Sequence, residues 1–319
     1  MDTWLKQICS DKDLSVLAFA ESRKGGRSEN QDSYDWAETK FGYVVTVCDG
    51  MGGSVGGKTA STIAVREIIA GINEGLEDSS PGNVIVQGIQ RANLAIIGAA
   101  EEQPQLRGMG TTATVLLINT NSAWIAHVGD SRVYQLRGGK KVFRTFDHSL
   151  VFDMVKKGII TEEQARLSAQ SNIITRALGI NPEIEIDIKE VPYLKGDRFV
   201  LTSDGVHGAI SEQDLIKRCE KRKTPIGVIV DDIATYVDNI GRKLGNEHDN
   251  LTLAIIETNQ SSKLTPKMSQ KTKFLIYVII CICLMSIGLN FHQACSSPNV
   301  PVQNEQTTES TPADTTATK

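Results

Sequence analysis

The 319-residue chain has few groups that bind soft metals. Its six cysteines, Cys9, Cys48, Cys219, Cys281, Cys283 and Cys295, are scattered, and no pair before residue 259 has metal-ligand spacing. The five histidines are dispersed as well. A zinc site of Cys and His needs clustered ligands, so none is expected. Cys48 closes an apolar run and reads as a small buried hydrophobe. Reduced thiols suit a cytosolic catalytic part. Excess positive charge is also missing: net charge is −4 and the pI is near 5.8. A nucleic-acid binder shows a basic stripe, and the run Lys217 to Lys223 is broken by Cys219 and Glu220, so it reads as a solvated helix end. The opening Met1-Asp2-Thr3-Trp4 lacks a charged-then-apolar signal pattern. No internal repeat is visible.

One long uncharged run is present, Phe274 to Phe291, FLIYVIICICLMSIGLNF. Its length is near the lower limit for a spanning helix, roughly 17–25 residues. Lys263, Lys267, Lys271 and Lys273 precede it, and no Lys or Arg follows until Lys319. The positive-inside rule then places the preceding domain in the cytoplasm, with the protein held at the membrane by a single C-terminal helix. The expected organisation is a catalytic domain over 1–258, a polar basic linker over 259–273, a transmembrane helix over 274–291 and a disordered Thr-rich tail over 292–319.

Within the first 258 residues, strand patterns occupy 14–20 and 42–48, the second rich in β-branched residues. Helical spacing follows over 58–76 and 84–100. From Thr111, four runs (TTATVLLIN, SAWIAHV, RVYQL, KVFRTF) are separated by turn signals at 119–121, 129–130 and 138–139, which predicts an antiparallel meander. Helices are expected near 149–157, 161–169 and 225–244, and strands at 184–190, 198–202 and 251–257. Packed antiparallel sheets covered by helices satisfy this order.

Several of these strands meet an aspartate at one end. Asp49 follows YVVTVC, Asp130 separates WIAHVG from SRVYQL, Asp204 follows FVLTS, and Asp249 precedes NLTLAII. Asp32 lies in the loop after the first strand. Singly, each is an ordinary turn residue. Together, carboxylates at strand ends of a sandwich can converge on one rim, where they repel unless cations sit among them. Oxygen-only ligands select Mg²⁺ or Mn²⁺. Two such ions sharing a carboxylate activate a water for in-line displacement at phosphorus. Arg27, five residues before Asp32, is a candidate to hold phosphate oxygens.

The ordered motifs resemble the PPM, or type 2C, metal-dependent protein phosphatases, most closely their bacterial branch. They are Arg27-Ser28-Glu29-Asn30-Gln31-Asp32, Asp49-Gly50-Met51-Gly52-Gly53, Gly108-Met109-Gly110-Thr111-Thr112 and Val128-Gly129-Asp130-Ser131-Arg132. Then come Asp147-His148-Ser149, Ile174 to Gly179, Leu201-Thr202-Ser203-Asp204-Gly205 and Asp249-Asn250-Leu251-Thr252. The resemblance implies an α+β fold: a β-sandwich of two antiparallel sheets with helices on both sides, in four layers αββα. It implies that Asp49 bridges two metals, that the Gly50 carbonyl binds one, that Asp204 and Asp249 complete the other site, and that Asp130 with Asp204 holds the third ion of bacterial members. Asp32 is counted with the metal residues. It further implies that Arg27 binds substrate phosphate, that the nucleophile is a metal-bound water with no phosphoenzyme, that phosphorylated proteins are the substrates and that a serine/threonine kinase is the opposing partner. Two positions depart from the pattern. Gln31 stands where glutamate is common, and Met51 stands where many eukaryotic members have a histidine proposed as general acid, which leaves the leaving-group proton unassigned. His148 reads as a satisfied structural histidine rather than a substitute.

Two other readings compete. Gly52 to Thr59, GGSVGGKT, fits the phosphate-cradling G-x-x-x-x-G-K-[ST] loop of an NTPase. Against it, the strands over 111–146 read as hairpin-linked rather than parallel, Asp49-Gly50-Met51 intervenes after the strand, and the other acidic motifs stay unexplained. In the phosphatase reading Lys58 is a first-turn helix residue without chemistry. An inactive binding module on the same fold is the other reading, and the intact aspartate set argues against it.

Overall fold

The computed structural model describes residues 6–9, 15–245, 247–264, 278 and 282. Contacts divide the chain into two units, Met1–Pro266 and Lys267–Lys319. The expected transmembrane run lies, apart from the helical residues Val278 and Ile282, outside the described residues. Among the described residues no helix is long and apolar enough to cross a membrane.

The first unit begins with strands β1 (Lys6–Cys9), β2 (Val16–Arg23), β3 (Ser33–Thr39), β4 (Gly42–Cys48) and β5 (Gly50–Met51). Helices α1 (Gly53–Glu74) and α2 (Pro81–Glu102) follow, then β6 (Gly110–Thr111), β7 (Ala113–Ile118), β8 (Ala123–Val128), β9 (Arg132–Arg137) and β10 (Lys140–Arg144). After α3 (Leu150–Lys156) and α4 (Glu162–Arg166) come β11 (Asp187–Val191), β12 (Arg198–Thr202), α5 (Asp204–His207), α6 (Glu212–Cys219), α7 (Ile226–Lys243) and β13 (Leu251–Thr258).

Two antiparallel sheets face each other, a six-stranded one in the order β1-β2-β13-β12-β9-β10 and a five-stranded one in the order β11-β8-β7-β4-β3. Three apolar layers hold them. Val16, Ala18, Val45, Val47, Leu116, Ile125, Phe199 and Ile256 fill the space between the sheets. Ile68, Ile72, Ile85, Ile89 and Ile96 pack α1 and α2 on the five-stranded sheet. Ile229, Val230, Ile233 and Val237, one stripe of α7, close on the six-stranded sheet with Leu215 of α6. The layers therefore run αββα. Covered on both faces, β4, β7 and β13 read as continuous apolar runs.

The predicted four-strand meander is corrected. β7 pairs with β8 and β9 with β10, but β8 and β9 lie in different sheets. The segment 129–131 is a crossing from one sheet to the other, not a hairpin turn. Alternation specifies a strand and its faces, not its partner.

The start of α1 is also corrected. It begins at Gly53, so Gly53 to Thr59 is helix and not a phosphate-cradling loop. Lys58 stands in the second turn. Its Nζ donates to the Asp32 carbonyl at 2.8 Å and to Ser33 Oγ at 3.1 Å, a structural tie between α1 and the start of β3.

Candidate active site

Arg27, Asp32, Asp49, Asp130 and Asp249 lie in connections, and Asp204 opens the short helix α5, so no ladder constrains these side chains. Arg27 and Asp32 belong to the β2–β3 loop, Asp49 to the β4–β5 junction, Asp130 to the sheet crossing, Asp204 to the first turn of α5 and Asp249 to the turn before β13. Arg27, Asp49, Gly50, Asp130, Asp204 and Asp249 line one cavity of about 510 Å³, together with Glu29, Gln31, Met51, Thr112, Asn172, Ile174 and Asn250. Asp32 is not on this wall. It is 2% exposed and borders a neighbouring groove of about 890 Å³ between α1 and β3.

Local hydrogen bonds fix these backbones. Asp49 N–H donates to Thr112 Oγ1 at 2.9 Å, and its carbonyl accepts from Thr112 N at 2.8 Å and Thr111 Oγ1 at 2.8 Å. Gly50 has no room for a side chain, since a Cβ there would meet the Gly57 carbonyl at 2.0 Å. Likewise a Cβ at Gly205 would meet the Asn250 carbonyl at 1.9 Å, so the backbones of the Asp204 and Asp249 turns are in direct contact. Asn250 draws in the Arg27 loop: its Oδ1 accepts from Gln31 N at 2.8 Å, and its Nδ2 donates to the carbonyls of Lys24 at 2.7 Å and Glu29 at 2.8 Å. Ser203 Oγ and Thr252 Oγ1 both donate to Asp32 Oδ2, at 2.8 and 2.6 Å.

The electrostatics are those of crowded acids. Burial, then the charges of Asp32, Asp204, Asp130 and Asp249, push the Asp49 carboxyl well above its ordinary range. Burial and Asp204 raise Asp130 in the same way. Asp204 is pushed up to about 6, by burial and then by Asp249. Asp32 is pushed up to about 7, mainly by burial, against the two hydroxyl donors that lower it. Arg27 is the one cationic side chain on the cavity wall, and its guanidinium is already paired with Asp249.

This donor set fits hard divalent cations. It is all oxygen, it carries more negative charge than protein groups neutralise, and the buried Oδ1 atoms of Asp204 and Asp32 have no protein partner. Glu29 Oε2 is likewise buried without a partner, at the border of both cavities. Among the described residues no histidine lines this cavity and Met51 does, whereas the adjoining cavity of about 480 Å³, which shares Arg27, Asp130, Asp204 and Asp249 with it, is lined by His207 and His248. His148 is 3% exposed and both of its ring nitrogens are engaged. Its pKa is pushed down to about 4 by burial, then His127 and Arg176. That is the structural histidine expected.

Sequence reasoning passed over Asn172, Ile174 and Glu29 as cavity residues. Asn172 and Ile174 come from the long connection between α4 and β11, and only tertiary packing brings them to the site. Ile174 and Glu29 both sit inside motifs that were recognised, but nothing in those motifs says that their side chains face the cavity.

The comparisons agree with the geometry. The family description "Protein phosphatase 2C" matches residues 21–227. The serine/threonine phosphatase stp of Listeria innocua is 31% identical over 242 residues, covering 75% of this chain and 90% of that protein. The crystal structure of the Mycobacterium tuberculosis serine/threonine phosphatase PstP/Ppp superposes with a TM-score of 0.63 at 29% identity, covering 76% of this chain and 98% of that one. A structure of the PstP catalytic domain in complex with two manganese ions superposes with a TM-score of 0.63 at 28% identity, covering 76% of this chain and 98% of that one. The chain belongs to the protein phosphatase 2C family of serine/threonine phosphatases.

Proposed function

We propose that the cavity is the phosphatase centre: Asp49, the Gly50 carbonyl, Asp204 and Asp249 hold two divalent cations, Mn²⁺ or Mg²⁺, and Asp130 with Asp204 holds a third. The observation that carries this is the convergence of four aspartates on one cavity with a buried Asp204 oxygen that no protein donor reaches. Bound there, such cations supply charge neutralisation and Lewis acidity for hydrolysis of a phosphate ester without a covalent phosphoenzyme. Arg27, at the mouth and 53% exposed, orients the substrate phosphate through the two N–H groups it now gives to Asp249. Asp32, fastened by Ser203 and Thr252, lies off the cavity wall and adds negative charge behind Asp49. Gln31 brings no charge to this wall, so cation binding rests on the aspartates with Glu29 beside them.

The substrates are phosphoserine and phosphothreonine residues of proteins, and the opposing enzyme is a serine/threonine kinase; the names of the relatives support this. The site is tested by Asp204→Asn, which abolishes turnover in a chain that still folds. An undiminished rate would sink the assignment. The finer localisation rests on sequence: the lysine-flanked run 274–291 anchors the catalytic domain at the cytoplasmic face. Recovery of the full chain wholly in the soluble fraction of gently lysed cells would rule that out.

A further inference from the structure

Asp130 sits on the crossing between two sheets, so no ladder holds its backbone. The segment 145–149 takes that place. Thr145 N donates to the Val133 carbonyl at 3.0 Å, and Val133 N donates to Thr145 Oγ1 at 3.0 Å. Arg132 and Asp147 form a buried two-pronged ion pair at 2.7 and 2.6 Å. His148 closes a ring with Gly129: its backbone N–H donates to the Gly129 carbonyl at 2.9 Å, and Gly129 N–H donates to its Nδ1 at 3.1 Å.

That second bond fixes the tautomer. A nitrogen that accepts carries no proton, so in the neutral ring Nε2 carries it. Nε2 faces Asp187 at 3.4 Å. Arg176, whose Nη1 is 3.2 Å from the same nitrogen, is also a donor; Asp187 at 3.1 Å and Glu185 at 2.5 Å hold it there. His127 stacks on His148 with ring centroids 4.5 Å apart, and its Nε2 bonds the Phe146 carbonyl at 2.8 Å. His127, His148 and Asp187 have metal-ligand spacing, their atoms lying within 4.8 Å of one another. However, the His148 tautomer leaves no lone pair for an ion, and Arg176 adds positive charge. The cluster is a hydrogen-bonded bridge.

Its far end reaches the substrate side. Thr175 N donates to the His148 carbonyl at 2.8 Å, Leu150 N donates to the Ile173 carbonyl at 3.0 Å, and Ser149 bridges Ile174. Asn172 and Ile174 line the aspartate cavity. One residue thus ties the Asp130 turn to the Asn172–Ile174 segment that also lines the cavity.

We infer that His148 is a positioning residue: its Nδ1 acceptor holds the Gly129–Asp130 turn against the segment whose backbone carries the Asn172–Ile174 wall. The inference rests on the reading of Asp130 as a cation ligand. Groups that orient a metal ligand change metal affinity by roughly 10–100-fold when removed. His148→Asn places an amide oxygen near the Nδ1 position and keeps the acceptor for Gly129. His148→Gln reaches toward the Nε2 position and leaves Gly129 N–H unpaired. Calorimetric Mn²⁺ titration of the full chain, with Asp130→Asn as reference, reads the difference. His148→Gln is expected to weaken the Asp130-dependent binding about tenfold and to raise KM for a phosphothreonine peptide, while His148→Asn stays within about threefold of wild type, well inside that range. Equal weakening in both variants, or none in His148→Gln while Asp130→Asn is weakened, overturns the inference. Wild-type Mn²⁺ binding in Asp130→Asn overturns the reading of Asp130 and the inference with it. Nitrogen-15 NMR of the unaltered protein tests the same point without a variant: Nδ1 is expected unprotonated, and a protonated Nδ1 contradicts the inference.

Discussion

Arg27 grips Asp249 with both prongs of its guanidinium, Nε to Oδ1 at 3.1 Å and Nη2 to Oδ2 at 2.8 Å, across 222 residues of chain. The pair binds the first loop to the last turn at the mouth of the cavity. In the proposed role, the same N–H groups take phosphate oxygens only by leaving Asp249, so the proposed cation and substrate sites would share one guanidinium.

Arg27→Ala should therefore raise KM for a phosphothreonine peptide without weakening Mn²⁺ binding. Charge-assisted hydrogen bonds are worth about 1.5–3 kcal/mol, so kcat/KM should fall on the order of 10–100-fold. Steady-state kinetics beside calorimetry separates the two effects. Loss of Mn²⁺ affinity with KM unchanged would place Arg27 in the cation site instead.

The crowded acids give the metal-free protein a definite pH dependence. Asp32 and Asp204 have folded-state pKa values raised to about 7 and about 6. Between the ordinary carboxylate range and those values the folded state binds more protons than the unfolded one, so their contribution to stability is present in acid and lost as pH rises toward 7. Melting curves in EDTA should show this loss. Mn²⁺ added at pH 7 should restore stability, and Asp204→Asn, which removes one repelling charge, should raise the metal-free melting temperature.

Gly205→Ala tests the backbone contact between the Asp204 and Asp249 turns. A Cβ 1.9 Å from the Asn250 carbonyl forces the turns apart. Overpacking of this kind costs about 1–3 kcal/mol, and turnover should fall with it. Denaturant melts and a peptide assay read both; a neutral variant would show that the turns can move apart freely.

Lys58→Met should cost about 1–3 kcal/mol through the lost bonds to Asp32 and Ser33, and neither wild type nor variant should hydrolyse ATP. ATP turnover lost with Lys58 would restore the NTPase reading.

The covered strand 42–48, where the structure has Gly42–Cys48, and the one-faced helix 225–244, where it has Ile226–Lys243, were legible from their apolar patterns. β3 was not legible, because Ser33–Thr39 is a polar edge strand with every residue partly exposed. The first turn of α1 was hidden by glycines that ordinarily break helices. The aspartates were found through their order in the chain. That Asp32 borders the neighbouring groove rather than the aspartate cavity follows from contacts with Ser203 and Thr252, 171 and 220 residues away, which no local pattern encodes. The His148–Gly129 ring escaped for the same reason.

The most direct measurement is phosphate release from a phosphothreonine peptide by the full chain, with Mn²⁺ and with EDTA, beside Asp204→Asn. The account predicts Mn²⁺-dependent release by the wild type, none in EDTA, and none from a folded Asp204→Asn variant. Release that persists in EDTA, or in the variant, would contradict it.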